Sequence, residues 1–269
     1  MLAKFVQVLQ RDGRHPRQAL ETLRRHYEFV KRNRRLTRIT EAIIVRQGLV
    51  VTGGPFVGMA YVNRAFCGGF APKLIGCYEA ELHATLASLR PDYTAIVDVG
   101  CAEGYYAVGL ARRYLNLPVY AFDSDPTARE LCAEMAKLNH VSAQVKIGGT
   151  CDTNALARLP LKGALLFCDC EGYEIELLNP QLLPDLQDCD LLVELHDCFN
   201  SLITPTILER FALTHKATLI QTSPHRPEEY PAVQFLSESD QRLAVDDLRG
   251  FPLQWVFLAS HALRPEKMP

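Results

Sequence analysis

Ile96-Val97-Asp98-Val99-Gly100-Cys101-Ala102-Glu103-Gly104-Tyr105-Tyr106 is the stretch that decides the fold. Its apolar start, broken only by Asp98, reads as a buried strand, and two glycines then turn the chain. Tyr105, Ala107, Leu110, Ala111 and Tyr114 follow at helical spacing. Strand, glycine-rich loop and helix open a doubly wound α/β sheet, in which ligands bind outside the carboxyl ends of the strands. Gly100 and Gly104 allow a sharp turn and a close approach of backbone to ligand, where a Cβ would intrude. A dinucleotide fingerprint, Gly-x-Gly-x-x-Gly, is not encoded: Ala102 and Tyr105 stand where its second and third glycines belong. The next strand, Val119-Tyr120-Ala121-Phe122, ends in Asp123, an acid placed to accept both ribose hydroxyls of a nucleoside. The plainer alternative is a structural turn followed by a surface acid.

Outward from this stretch the α/β alternation is regular. Strand 95–100 leads to helix 105–115, strand 119–123 to helix 126–139, and strand 143–148 to a short helix near 152–158. Strand 164–169 precedes a helix starting near Tyr173; strands at 190–195 and 217–222 flank helix 204–215. Residues 224–250 are polar, proline-rich and irregular, as suits a lid or substrate loop. The last strand is Gln254–Ala259. Upstream, a helix over 74–90 carries Leu82, Leu86 and Leu89 and stops at Pro91. Residues 49–63 read as two short strands around Gly53-Gly54-Pro55. The pattern divides the chain into a basic helical extension, 1–47, and a catalytic domain, 48–269.

The chain has 269 residues, a net charge of -2, and 48% hydrophobic residues. That suits one large α/β domain with an N-terminal extension, and no whole-protein field for a charged partner. The charge is uneven, with eleven Arg or Lys against four acids over residues 11–46. In the extension Leu20, Leu23, Tyr27 and Val30 recur at helical spacing, and Lys31-Arg32-Asn33-Arg34-Arg35 could meet phosphates or an acidic partner. A solvated helix face explains the same run, and few aromatics interleave to stack bases, so nucleic acid is disfavoured. The nine cysteines include no Cys-x-x-Cys pair and read as reduced thiols of a cytoplasmic protein. No apolar run reaches membrane-spanning length.

Two constellations carry chemistry. Cys168-Asp169-Cys170-Glu171-Gly172-Tyr173-Glu174 ends the fourth strand on the edge of the glycine-rich loop. Asp169 can serve a ligand there, or simply cap the following helix. Glu174 reads as a first-turn acid favoured by the helix dipole. Glu194-Leu195-His196-Asp197 ends the fifth strand, with Glu194 and His196 on one face. A histidine between two acids at a strand's carboxyl end is a candidate base, because its ordinary pKa lies near neutrality. His83, His140 and His215 read as surface or helix-end residues.

The spacing Asp-x-Gly-x-x-x-Gly at 98–104 is similar to the first motif of class I S-adenosylmethionine (SAM) methyltransferases. Asp-Cys-Glu-Gly-Tyr-Glu at 169–174, Gly-Pro-Phe-Val-Gly at 54–58 and Tyr78-Glu79 together resemble FkbM-type members, over roughly residues 50–260. The resemblance implies a Rossmann-like, seven-stranded and mostly parallel sheet in the order 3-2-1-4-5-7-6, last strand antiparallel, with helices on both faces. It implies SAM held by Glu79, Asp98, Gly100, Ala102, Gly104, Tyr105, Asp123, Ser124, Asp152 and Asp169. It also implies O-methylation of a natural product or sugar, the small-molecule acceptor facing Asp169, Glu194 and His196. Tyr78, Tyr105 and Tyr106 are candidates for the pocket around the sulfonium. A hydroxyl needs a general base or a metal, and Asp169, Glu194 and His196 could also hold a divalent ion. Two rivals stand beside this: an RNA methyltransferase gripping its substrate with the basic helices, and a non-catalytic SAM-binding partner subunit. The N-terminal helices could also form a homodimer.

Overall fold

A computed structural model describes residues 16–251 and 253–264. Residues 1–15, and the side chains of Leu20 and Leu23, lie outside what is described. Seven strands form one sheet: β1 (Ile96–Val99), β2 (Val119–Phe122), β3 (Val145–Gly148), β4 (Leu165–Cys168), β5 (Asp190–Leu195), β6 (His215–Gln221) and β7 (Gln254–Ser260). Their order is β3-β2-β1-β4-β5-β7-β6. All pairs are parallel except those of β7, which runs antiparallel between β5 and β6. This is a Rossmann-like, seven-stranded and mostly parallel sheet with helices on both faces, in the strand order that the resemblance implied.

Side chains alternate across the sheet. Ile96, Ala121, Phe167, Leu192 and Trp255 pack into one core layer, while Val97, Leu166, Leu191 and Val193 pack into the other. Burial on both faces is why these strands read as nearly continuous apolar runs. The first layer is covered by α4 (Tyr105–Arg113) and α5 (Pro126–Leu138), which Asp125 caps by accepting the Thr127 N–H. The second takes α7 (Glu174–Leu177) and α8 (Ile203–Phe211). Thr153–Leu156 forms α6 between β3 and β4. His215, expected at the surface, opens β6 buried, with Nε2 2.9 Å from the Cys189 carbonyl.

The first described element is α1 (Pro16–Gln47). Tyr27 of its expected stripe is exposed, and the burial falls later, on Ile39 and Ile43, which enter the first core layer. Arg32 pairs with Asp246 at 2.8 Å and Arg35 with Asp240 at 2.5 Å. The two strands expected over 49–63 reduce to one bridge, Val50 to Ala60, around a 3-10 turn at Gly54–Phe56. The helix expected over 74–90 is broken into α2 (Phe70–Ile75), a 3-10 turn at Ala80–Leu82, and α3 (His83–Ser88). The cause is local: Gly76 leaves α2 at φ 83°, and Gly53 packs so close to it that a Cβ on Gly76 would lie 2.1 Å from the Gly53 oxygen. The stretch 224–250 holds two 3-10 turns and α9 (Glu238–Ala244), with Val233, Ala244 and Val245 buried, so it is less irregular than its composition suggests. No helix among the described residues is long and apolar enough to cross a membrane. All nine cysteines are free.

Candidate active site at the strand ends

A cleft of about 430 Å³ opens over the carboxyl ends of β1, β2 and β4. Of the residues expected to hold SAM, Gly100, Ala102, Asp123, Ser124 and Asp169 line it. The glycine-rich loop is stitched to β2: the Gly100 and Cys101 N–H groups both donate to the Phe122 carbonyl, at 2.8 and 2.9 Å. Gly100 sits at φ 87°, and a Cβ there would lie 1.7 Å from the Asp169 carbonyl oxygen. Its absent side chain therefore serves first to let the ends of β1 and β4 touch. Ala102 adopts the left-handed region at φ 47°, which turns its N–H onto Asp123 Oδ2 at 2.9 Å. Asp123 Oδ1 accepts the Asp125 N–H at 2.8 Å. Each oxygen of a carboxylate has room for a second donor, so Asp123 braces the loop and still faces the cleft with acceptor capacity.

The other expected cofactor residues stand behind this wall. Asp98 is buried beneath the loop, where the Ala107 N–H of α4 reaches it and Oδ2 has no partner among the described residues; burial raises it to about 7. Gly104 is the left-handed residue that starts α4, its α-carbon facing Cys132 on α5. Tyr105 and Tyr106 lie in a buried aromatic cluster with Phe56, and Tyr78 packs edge-on to Tyr105 beneath Lys73. The aromatic faces on the cleft are instead Phe66, Phe122 and Tyr173. Asp152 caps α6, accepting the Ala155 N–H at 2.7 Å; Thr150 and Cys151 reach the cleft in its place. Glu79 is buried at φ 50°, bonded to Arg249 Nη2 at 2.7 Å and to the Tyr106 hydroxyl.

Glu103, to which no sequence pattern assigns a role, is the strut of this wall. It is buried against Lys73 Nζ at 2.6 Å and the Tyr61 hydroxyl at 2.6 Å, and accepts the Phe66 N–H at 3.2 Å. It thereby holds Phe66 and Cys67 over the cleft.

Asp169, Glu194 and His196 are brought together. His196 is only 2% exposed in its side chain, and Nε2 stands 3.5 Å from one oxygen each of Asp169, Glu171 and Glu194. Its Nδ1 is 2.6 Å from Glu174 Oε1. Glu174 is the first-turn acid of α7, as expected, and it is also the buried partner of His196. Asp169, 26% exposed in its side chain, is the member that reaches the cleft. Burial and the charge of Glu79 raise Asp169 to about 7. Burial and the adjacent Asp169 raise Glu194 to about 9, against the pull of Arg249 Nη1 at 2.6 Å. Burial pulls His196 down, but the Glu174 bond and the surrounding carboxylates outweigh it, and the net direction is up. At neutral pH the carboxyl pair therefore holds a proton, with Asp169 the more acidic member, above an imidazole whose protonated form its neighbours favour. Asp169, Glu171 and His196 each offer a ligand atom within 4.8 Å of the others, a geometry that could also hold an ion. Arg249, Lys73 and Glu103 carry no local sequence pattern; the partners of Lys73, Glu103 and Arg249 named above lie 30 to 170 residues away.

No family model matches the sequence, and no curated protein matches it. Among solved structures the chain is similar to the precorrin-6y C5,15-methyltransferase of Geobacter metallireducens, at 11% identity over 75% of this chain and 94% of that one, TM-score 0.48. It is also similar to the O-methyltransferase of tomaymycin synthesis from Streptomyces achromogenes, solved with SAM, at 15% identity over 84% and 89%, TM-score 0.45.

Proposed function

We propose that the chain is a SAM-dependent methyltransferase that modifies a hydroxyl of a small molecule, in keeping with its resemblance to FkbM-type enzymes. The observation that carries this reading is Asp169: a carboxyl raised to about 7, standing in the wall of the strand-end cleft and backed by buried Glu194 and His196. The cleft fits the cofactor. Asp123 keeps free lone pairs for ribose hydroxyls, and Phe66, Phe122 and Tyr173 offer apolar faces. Asp123, Ser124 and the Gly100–Ala102 backbone would hold SAM, which supplies an electrophilic methyl group when bound.

The chain's own work is to orient the acceptor and take its proton. A hydroxyl is too weakly acidic to ionise alone, and a base tuned near neutrality suits the step. Asp169 accepts the acceptor's O–H proton as the oxygen takes the methyl group, and water later removes that proton. Glu194 donates its proton towards Asp169, and His196, held by Glu174, lies beneath them with its protonated form favoured by the surrounding carboxylates. His196 therefore acts from beneath, through the carboxyls. A small acceptor is favoured over RNA because Arg32 and Arg35 of the basic run are already engaged by Asp246 and Asp240.

A second reading places a divalent ion on Asp169, Glu194 and His196. The 3.5 Å separations of Nε2 from Asp169 and Glu194 favour it, with Glu171 at the same distance as a further ligand, as does the Glu174 contact on Nδ1, since ligating histidines are usually held so through the other nitrogen. The readings separate experimentally. Methyl-labelled SAM and a panel of hydroxyl acceptors should yield an alkali-stable labelled ether. Asp169→Asn should keep S-adenosylhomocysteine binding yet lose transfer by about 10²–10⁴-fold, the worth of a positioned base. Transfer that depends on added metal and is lost in step with bound metal in His196→Ala would instead support the ion.

A further inference from the structure

We infer that Glu81, His225 and Asp247 form a site for a first-row divalent transition ion, separate from the strand-end cleft. The three residues line a second cavity, of about 490 Å³, on the far side of Arg249. They come from three segments: Glu81 from the 3-10 turn before α3, His225 from the stretch after β6, and Asp247 from the chain leaving α9. Their ligand atoms all lie within 4.8 Å of one another. His225 Nε2 and Asp247 Oδ2 are 2.8 Å apart. Two ligand atoms on one ion, each bonded at about 2.1 Å, are about 3.0–3.4 Å apart, so His225 and Asp247 need open by only a few tenths of an ångström while Glu81 closes on them.

Unmet bonding capacity points the same way. The Glu81 side chain is 4% exposed and that of Asp247 is 9% exposed. Glu81 Oε1 and Asp247 Oδ1 are nevertheless buried with no hydrogen-bond partner among the described residues. Buried carboxylate oxygens left in that state are costly. A protonated His225 paired with Asp247 satisfies Oδ2, leaves Asp247 Oδ1 bare, and leaves Glu81 Oε1 with only a 3.4 Å ion pair to Arg249. Arg249 is drawn to the other wall: it lies 2.7 Å from Glu79 and 2.6 Å from Glu194, and 3.4 Å from Glu81. A dication on Glu81, His225 and Asp247 satisfies the oxygens that lack hydrogen bonds. One imidazole with two carboxylates suits Zn²⁺, Mn²⁺ or Fe²⁺ better than Mg²⁺ or Ca²⁺, and the open cavity leaves room for water ligands. Bound there, the ion pins Asp247 to Glu81. That fixes Arg249, two residues further on, against Glu79 and Glu194 of the cleft's inner wall.

The test uses the full chain, stripped of metal and titrated with Zn²⁺, with bound metal counted by mass spectrometry. Zn²⁺ should bind tightly enough to raise Tm. His225→Ala, and the near-isosteric Glu81→Gln and Asp247→Asn, should each remove one equivalent, weakening that site by more than about 100-fold, the upper end of what losing even an outer-shell partner costs. His196→Ala should leave this equivalent in place. Crystals soaked in Zn²⁺ should show an anomalous peak between the three side chains, a readout independent of any variant's folding. No bound Zn²⁺, or Zn²⁺ that is lost in His196→Ala and retained in all three other variants, overturns the inference.

Discussion

Asp98 is a carboxyl group enclosed where its charge is least welcome. Its ordinary value is 3.8, and burial holds it at about 7. The folded chain thus keeps a proton that the unfolded chain releases, so the stability Asp98 contributes is complete below pH 4 and lost as pH rises through 7. Asp98→Asn keeps the shape and removes the charge. It should gain on the wild type in thermal denaturation as pH goes from 4 to 8, by a few kcal/mol at most, at about 1.4 kcal/mol for each tenfold change in acidity. Parallel Tm–pH curves for the two proteins would remove this account of Asp98. Glu174 acts by orientation: Glu174→Gln should lower transfer and move its pH profile to lower pH, because the Glu174 bond is the chief influence raising His196. A loss of turnover with an unmoved profile would make Glu174 merely structural. At this scale the sequence placed Asp123 and Asp169 well, since a residue ending a parallel strand has only one edge to occupy. It could not reveal Glu174 as the partner of His196, because the contact joins two elements and the short helix α7 has no solvent face at that position.

The central strands β1, β4 and β5 were legible because both faces of the sheet are buried there and each is apolar almost throughout, while the edge strands β3 and β6 are half-exposed and carry polar residues. The elements before β1 were not legible, because their shape is set by left-handed residues. Gly76 and Glu79 break what periodicity alone reads as one helix. The strut from α2 to the glycine-rich loop shows what such segments do. Lys73→Met leaves Glu103 buried without its cation and should cost about 3–5 kcal/mol, while Lys73→Met with Glu103→Leu should recover much of that loss. Chemical denaturation of both variants checks this; a double variant no more stable than the single one would show that Glu103 matters for Phe66 and Tyr61 more than for Lys73. Gly100→Ala should destabilise by more than about 2 kcal/mol, since both φ and the Asp169 carbonyl oppose a Cβ.

At the scale of the molecule, α1 is legible as a helix but its relation to the sheet domain is not, because the basic stripe advertises solvent while Ile39 and Ile43 reach the core. Ile39→Ala and Ile43→Ala should each cost about 2–5 kcal/mol. Both should shift a single denaturation transition that includes the sheet. A separate early transition would instead make α1 an independent unit. The strand order brings the ends of β1, β2 and β4 to one edge, and the claim on which the rest depends is that this edge binds SAM. Titration calorimetry with S-adenosylhomocysteine tests it most directly. The wild type should bind one equivalent, and Asp123→Ala, still folded by circular dichroism, should bind more weakly by about 1.5–3 kcal/mol, the worth of hydrogen bonds to a charged group. No binding by the wild type, or equal affinity in Asp123→Ala, would contradict the account.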